Sequence, residues 1–247
     1  MYTITITNFK GGVGKSTTAI NLSYTFSKMG YRVLVIDLDA QCNCTSIFAK
    51  VNNDAMNVKA VLDNPEKINS IIRRTRFENL DIIKGYAKVY DDAEDYTPDV
   101  YGLKKAFSFL NENHQYDFCI IDTHPNFDAT ARNALICADL LLTPIIFDSF
   151  CRDNLAHVEE YINTKLVNDN PNVEWKIFGN KVALRKAQIQ AMQDITECHS
   201  YPIMNTCITQ SSVIDNALVL YKPAAQHRRN SHVAHDYQDL VLEILNV

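Results

Sequence analysis

The run Lys10-Gly11-Gly12-Val13-Gly14-Lys15-Ser16-Thr17 holds the residues best suited to chemistry. Closely spaced glycines let backbone N–H groups curl around an anion where side chains would block the approach. A lysine after such a turn supplies a point charge for β- and γ-phosphates, and a following hydroxyl suits Mg²⁺. Lys15 and Ser16 take those positions. The element before the turn is Tyr2-Thr3-Ile4-Thr5-Ile6-Thr7, an alternating strand-like run, and Thr18 to Ser23 after it reads as a helix. Strand, glycine turn and helix N-terminus together form a phosphate site, because the helix start presents free N–H groups and a positive dipole end.

A general phosphate-loop pattern carries a glycine five residues before Gly14; this chain has Phe9 there and a second lysine, Lys10, beside it. In that departure the segment resembles the deviant P-loop of the ParA/MinD ATPases. The resemblance implies that Gly11, Gly12, Val13, Gly14, Lys15, Ser16 and Thr17 bind ATP phosphates. It also implies that Lys10 crosses to the partner's phosphates in an ATP-sandwich homodimer, meeting the charge of the transition state as an arginine finger does.

Two further blocks fit the same site. Tyr31 to Ile36 reads as a buried strand ending in Asp37-Leu38-Asp39-Ala40-Gln41. Acids at the carboxyl end of a parallel strand face the ligand. This block is similar to the family's Asp-x-Asp-x-Gln stretch, with Ala40 where proline is usual. The resemblance implies Asp37 beside Mg²⁺ and Asp39 acting on the attacking water. Phe118 to Ile121 ends in Asp122, the acid-tipped strand that holds Mg²⁺ in P-loop ATPases. His124 follows where the family has the first of two prolines.

The elements that must position these residues read as a doubly wound α/β domain with a mostly parallel sheet and helices on both faces. Expected strands are Thr3 to Asn8, Val33 to Asp37, Leu80 to Lys84, Phe118 to Asp122, Leu140 to Ile146, Lys176 to Val182 and Ile203 to Thr206. Their apolar runs without clean alternation indicate strands covered on both faces. Expected helices are Lys15 to Met29, Val100 to Asn111, Asp128 to Cys137, Asn154 to Val167, Ser211 to Leu220 and His232 to Leu245, with a mixed insert between the second and third strands. The acidic stretch Asp91 to Asp99 reads as a solvated loop. With 247 residues, 47% of them hydrophobic, and no repeats or Pro-rich linkers, the expectation is one domain over residues 1–247.

Composition narrows the setting. The longest apolar stretch, Leu135 to Phe147, is broken by Asp139, Thr143 and Pro144 and is too short to span a bilayer. Seven cysteines without paired spacing indicate reduced thiols, hence a cytoplasmic protein. Cys42-Asn43-Cys44 is no CxxC pair, and His227, His232 and His235 lack the converging ligands a metal site needs. Trp175 reads as a packing residue.

The C-terminal third also resembles the family. Pro223 and Ala224, after Tyr221-Lys222, are the implied adenine-packing loop, and Asn180 offers an amide for the adenine edge. Members that segregate DNA bind it non-specifically as nucleoid-associated ATP dimers, stimulated by a ParB-like partner. Candidate phosphate contacts here are Lys181, Arg185, Lys186, Lys222, Arg228 and Arg229; clustered cations suffice, so the net charge of −5 does not exclude DNA. The alternatives are a MinD-like positioning ATPase anchored on a membrane, and a nucleotide-gated regulatory dimer that hardly hydrolyses ATP. The end of the chain, Asp239 to Val247, has two acids and no Lys or Arg, which disfavours an anionic lipid surface.

Overall fold

The computed structural model describes residues 1–51, 56–87, 97–183, 185–198 and 201–246. Most of the Asp91 to Asp99 stretch, expected to be a solvated loop, lies outside the described residues. The strands are β1 (Tyr2–Ile6), β2 (Val33–Asp37), β3 (Arg73–Arg74), β4 (Leu80–Ile83), β5 (Phe118–Asp122), β6 (Leu140–Ile145) and β7 (Glu174–Gly179). They form one sheet in the order β3-β4-β2-β5-β1-β6-β7, parallel except for the two-residue edge strand β3.

The helices are α1 (Lys15–Lys28), α2 (Asn43–Phe48), α3 (Val58–Asp63), α4 (Ile68–Ile71), α5 (Gly102–Phe107), α6 (Ala129–Cys137), α7 (Cys151–Tyr161), α8 (Lys186–Cys198), α9 (Ser212–Val219), α10 (Ala224–His227) and α11 (His232–Leu245). Successive strand side chains point to opposite faces, so the sheet feeds a core on each side. Ile4, Ile6, Val33, Val35, Ile82 and Ile120 join the core under α1 and α11. Leu34, Ile36, Ile83, Cys119 and Ile121 join the one under α3, α5 and α6.

α11 shows why a sequence stretch becomes a helix here. Val233, Ala234, Tyr237, Leu240, Val241 and Ile244 recur at helical spacing and are buried, and the Ser231 hydroxyl accepts from Ala234 N at 3.3 Å as an N-cap. On the same side Phe26 of α1 stacks on Phe118 of β5, with centroids 4.2 Å apart. Phe26 is fully buried, so its loss would cost about 3–5 kcal/mol.

Some boundaries depart from expectation. Ile203 makes a single parallel bridge to Ile177 rather than a strand. The expected helix from Asn154 starts earlier, at Cys151, and passes into a π-turn over Ile162–Leu166. The helix expected over Val100 to Asn111 is confined to Gly102–Phe107. The last parallel strand ends at Gly179 instead of Val182, because the chain turns at Lys181 with a left-handed φ of 54°. α8 was not expected at all. The arrangement brings the carboxyl ends of β1, β2 and β5 together, with Ile6 and Asp37 both registered against Asp122.

Candidate nucleotide site

The turn after β1 is held by its own backbone chemistry. Asn8 is buried; its amide donates to the Pro144 carbonyl at 2.8 Å, and its Oδ1 accepts from Lys10 N at 2.8 Å and from Asn154 Nδ2 at 2.7 Å. Gly12 and Gly14 have φ of 75° and 94°, a region that side-chain-bearing residues rarely adopt. At Gly14 space is a second requirement, since a Cβ there would lie 2.3 Å from Asn180 Nδ2. α1 then starts with no side-chain cap and no acid in its first turn, which leaves its N–H groups to an anion.

Lys15 is 7% exposed, and its ammonium donates to the carbonyls of Asn8 and Lys10 at 3.1 and 3.2 Å. Burial lowers its pKa, against the opposing pull of Asp122 and Asp39. Lys10 is outside the turn, ion-paired with Asp148 and 5.7 Å from the centroid of the Phe150 ring. Phe9, at the position where the general pattern has glycine, packs edge-on against Phe127 and lies 6.0 Å from Tyr161, while Phe127 and Tyr161 stack at 4.5 Å.

Three acids face this turn. Asp37 and Asp122 are both fully buried and are cross-strand neighbours. Asp37 Oδ2 accepts from Thr45 N at 2.8 Å and Thr45 Oγ1 at 2.7 Å, and Asp37 Oδ1 accepts from Asp39 N at 3.2 Å. Burial raises its pKa to about 6 despite those bonds. Asp122 is pushed well up by burial first and by the Asp37 charge second. Asp122 Oδ2 accepts the Cys44 thiol at 3.4 Å, Oδ1 is buried without a close hydrogen bond among the described residues, and the Ser16 hydroxyl lies near enough to the carboxyl to pull its pKa down. An orphaned buried carboxylate oxygen beside a second carboxylate and the start of α1 fits a hard divalent cation. Mg²⁺ binds through one or two carboxylates together with substrate phosphates and water, so this donor set is sufficient. Asp39 is shallower and caps its own turn, its Oδ1 accepting from Gln41 N at 2.9 Å.

A cleft of about 780 Å³ opens above these groups, lined by the glycine turn, Lys15, Ser16, Thr17, Asp39, Lys181, Leu218, Val219 and Tyr221, among others. A cavity of about 850 Å³ lies at the opposite ends of the strands, around Met1, Thr3, Asp117 and Asp139. In doubly wound sheets ligands bind at the carboxyl ends, which favours the smaller cleft.

The structure brings together the turn, Asp37, Asp39 and Asp122 as the sequence predicts, and redistributes other candidates. Asn180 is buried, and its amide donates to the Val13 carbonyl at 2.7 Å while its Oδ1 accepts from Lys181 N at 2.9 Å. It therefore braces the turn. Pro223 and Ala224 are buried, with Ala224 N donating to Asn21 Oδ1 at 2.7 Å, so Leu218, Val219 and Tyr221 form that side of the cleft instead. Of the six cations proposed for DNA, Lys181 is drawn into the cleft, its ammonium 2.9 Å from the Gly12 carbonyl. Arg185, Lys186, Arg228 and Arg229 are exposed and Lys222 is half-buried.

Sequence reasoning missed Thr45, Cys44 and Asp148. The signal for Thr45 was available, because a buried strand-end acid requires donors and a hydroxyl at the next helix start is a ready source. His124 is buried, with Nε2 3.2 Å from Asp128, whose Oδ1 caps α6 through Thr130 N and Ala131 N. It ties the loop after Asp122 to a helix start, where proline would stiffen the backbone alone.

Comparison with known proteins agrees with this geometry. The family model described as AAA domain (AAA_31) matches residues 1–177. The sporulation initiation inhibitor protein Soj of Bacillus subtilis is 29% identical over 250 residues, covering 98% of this chain and 97% of Soj. A plasmid partition protein from Borrelia burgdorferi superposes with a TM-score of 0.80 at 25% identity, covering 99% of this chain and 98% of that one. The septum site-determining protein MinD from Pyrococcus horikoshii, complexed with Mg-ADP, has the same fold, with a TM-score of 0.79 at 22% identity over 98% of this chain and 95% of MinD. The match over most of the chain and the deviant glycine turn on this sheet show that the chain belongs to the ParA/MinD family of P-loop ATPases.

Proposed function

We propose that residues 1–247 act as one partition ATPase domain that hydrolyses ATP in a nucleotide-sandwich homodimer. The observation that carries this reading is the placement of Lys10 at the mouth of a glycine turn that faces the registered pair Asp37 and Asp122. In this reading Gly11 to Thr17 hold the phosphates, Lys15 neutralises the β- and γ-oxygens, and Lys10 reaches the partner's nucleotide. Ser16, Asp37 and Asp122 hold Mg²⁺, which when bound offsets phosphate charge. Asp39 orients the attacking water, and Asn180 keeps the turn in shape on the base side of the cleft, with Pro223 and Ala224 supporting that side from behind. A MinD bound to Mg-ADP supports the choice of ligand.

The ATP dimer binds DNA non-specifically through Arg185, Lys186, Lys222, Arg228 and Arg229 and is stimulated by a ParB-like centromere-binding protein, which makes the chain cytoplasmic and nucleoid-associated. A membrane-anchored reading is less well supported. The apolar face of α11 is already buried against α1 and the sheet, and no described helix is long and apolar enough to cross a membrane.

Light scattering with ATP and Mg²⁺, run beside a hydrolysis assay, tests this function. Wild-type protein dimerises with ATP and not with ADP, and Lys10→Ala binds ATP but hydrolyses it at least about tenfold more slowly. Hydrolysis by Lys10→Ala at the wild-type rate, or by wild type at a per-subunit rate independent of protein concentration, would contradict it.

A further inference from the structure

The hairpin loop between β3 and β4 is fixed by its own side chains. Thr75 Oγ1 donates to the Leu80 carbonyl at 2.7 Å and accepts from Phe77 N at 3.0 Å, and Asn79 takes a left-handed φ of 59° just before β4. That shape buries Phe77 against Tyr24 of α1, with ring centroids 5.2 Å apart, and leaves Arg74 and Arg76 exposed. Three cations around this edge of the sheet lie over buried rings rather than beside carboxylates. The Arg76 guanidinium is 5.0 Å from the centroid of Phe77, the Lys28 ammonium 5.6 Å from that of Tyr24, and the Arg32 guanidinium 5.9 Å from that of Tyr116. A ring face orients a cation without neutralising it, so the positive field outside the protein is kept.

Arg32, Arg74 and Arg76 line one pocket of about 350 Å³. Glu78 and Asp81 share it, and Asp81 already accepts from the Tyr116 hydroxyl at 2.8 Å, while Asp117 beside it accepts from Arg32 N at 2.7 Å. No ion pair among the described residues joins Lys28, Arg32, Arg74, Arg76 or Arg229 to an acid, whereas Lys59, Lys105, Arg132 and Lys176 each have one. The cations continue beyond the pocket. Burial raises the Tyr24 pKa and the charge of Arg229 opposes it, so Arg229 and Lys28 attend the same ring; Arg76 also donates to the Tyr221 carbonyl, next to Lys222. Positive groups strung along an edge fit an anion that repeats its charge, and the rings buried beneath them offer no face for a base to stack on. We propose that this edge, with Lys28, Arg32, Arg74, Arg76 and Arg229, binds the phosphate backbone of duplex DNA without reading its sequence. It rests on the DNA reading above and adds cations from residues 28–76 to a set drawn from residues 185–229.

Fluorescence anisotropy with random-sequence duplex DNA and ATP, across a salt series on the full chain, tests it. Arg32→Gln combined with Arg74→Gln should weaken binding at least about tenfold at low salt. It should also make the dependence of log Kd on log salt shallower by about two or more, since each lost phosphate contact removes about 0.9. Glu78→Gln, which takes an exposed acid out of the pocket, should tighten binding about threefold. Light scattering should show both variants dimerising with ATP as the wild type does. Wild-type affinity and salt slope in the Gln pair, or no tightening in Glu78→Gln, would overturn the proposal. Loss of binding to anionic vesicles in the Gln pair, with DNA binding intact, would also overturn it and assign the edge to a membrane. Arg185→Gln with Lys186→Gln separates the two readings. DNA binding that this second pair loses and the first pair keeps counts against the edge alone, whereas a wild type that binds no DNA with ATP counts against the DNA reading itself.

Discussion

Asp37 and Asp122 are side by side in the β2–β5 register, both without solvent exposure, and burial raises the pKa of each. Between the unfolded carboxylate range near 4 and the raised value of about 6 for Asp37, the folded protein binds more protons than the unfolded chain. Stability of the nucleotide-free protein therefore falls as pH rises through that window. Near pH 7.5 the cost of keeping the buried Asp37 charge is fully present. Thermal melts without metal or nucleotide should show Asp122→Asn more stable than wild type at pH 7.5, with the difference shrinking towards pH 4. A lower Tm for the variant at pH 7.5 would contradict the buried charge pair.

Gly14 meets two constraints, and they can be separated. Gly14→Ala should lose nucleotide binding by at least about tenfold, since a methyl group at 2.3 Å from Asn180 displaces the brace and φ of 94° disfavours any Cβ. Adding Asn180→Ala relieves the collision and leaves the φ strain, so the double variant should stay defective in a binding titration. Recovery to wild-type affinity would show that collision alone matters.

Phe9 fills a cluster with Phe127 and Tyr161 at the base of the turn. Restoring the general-pattern residue with Phe9→Gly removes a partly buried aromatic and adds backbone freedom, which should cost about 2–4 kcal/mol in denaturant unfolding. A change below about 0.5 kcal/mol would show that the cluster is incidental.

Asp128 has a structural task, shown by its bonds to Thr130 N, Ala131 N and His124. Asp128→Ala should cost about 1–2 kcal/mol through loss of the cap, measurable by chemical denaturation. Wild-type stability would mean that α6 does not depend on this cap.

The residues best read from sequence were those whose chemistry and local geometry coincide. Gly12 and Gly14 adopt the left-handed conformations the turn demands, and Asp37 and Asp122 end buried strands as their apolar runs foretell. α1 and α11 were legible because each is fourteen residues long and, in α11, clearly periodic. The segment between β2 and β4 was not, because α2, α3 and α4 are each six residues or fewer and β3 has only two, too short for any period to emerge. α8 is different: its apolar residues favour one side, a legible signal that was missed, and of them Ile195 is buried while Ile189 and Met192 are exposed. Lys181 resembled a surface cation because composition cannot reveal a tether to Gly12, more than 160 residues earlier. Pro223 and Ala224 follow the cleft-lining Leu218, Val219 and Tyr221 in sequence, but the bond from Ala224 N to Asn21 turns them inward.

The central claim is an ATP-gated grip on DNA, and it is tested most directly with random-sequence duplex DNA in ATP and in ADP across a salt series. The account predicts binding with ATP only, weakening steeply as salt displaces phosphate contacts from a dimer that doubles the cation count. Equal binding in both nucleotides, or none in either, would contradict it.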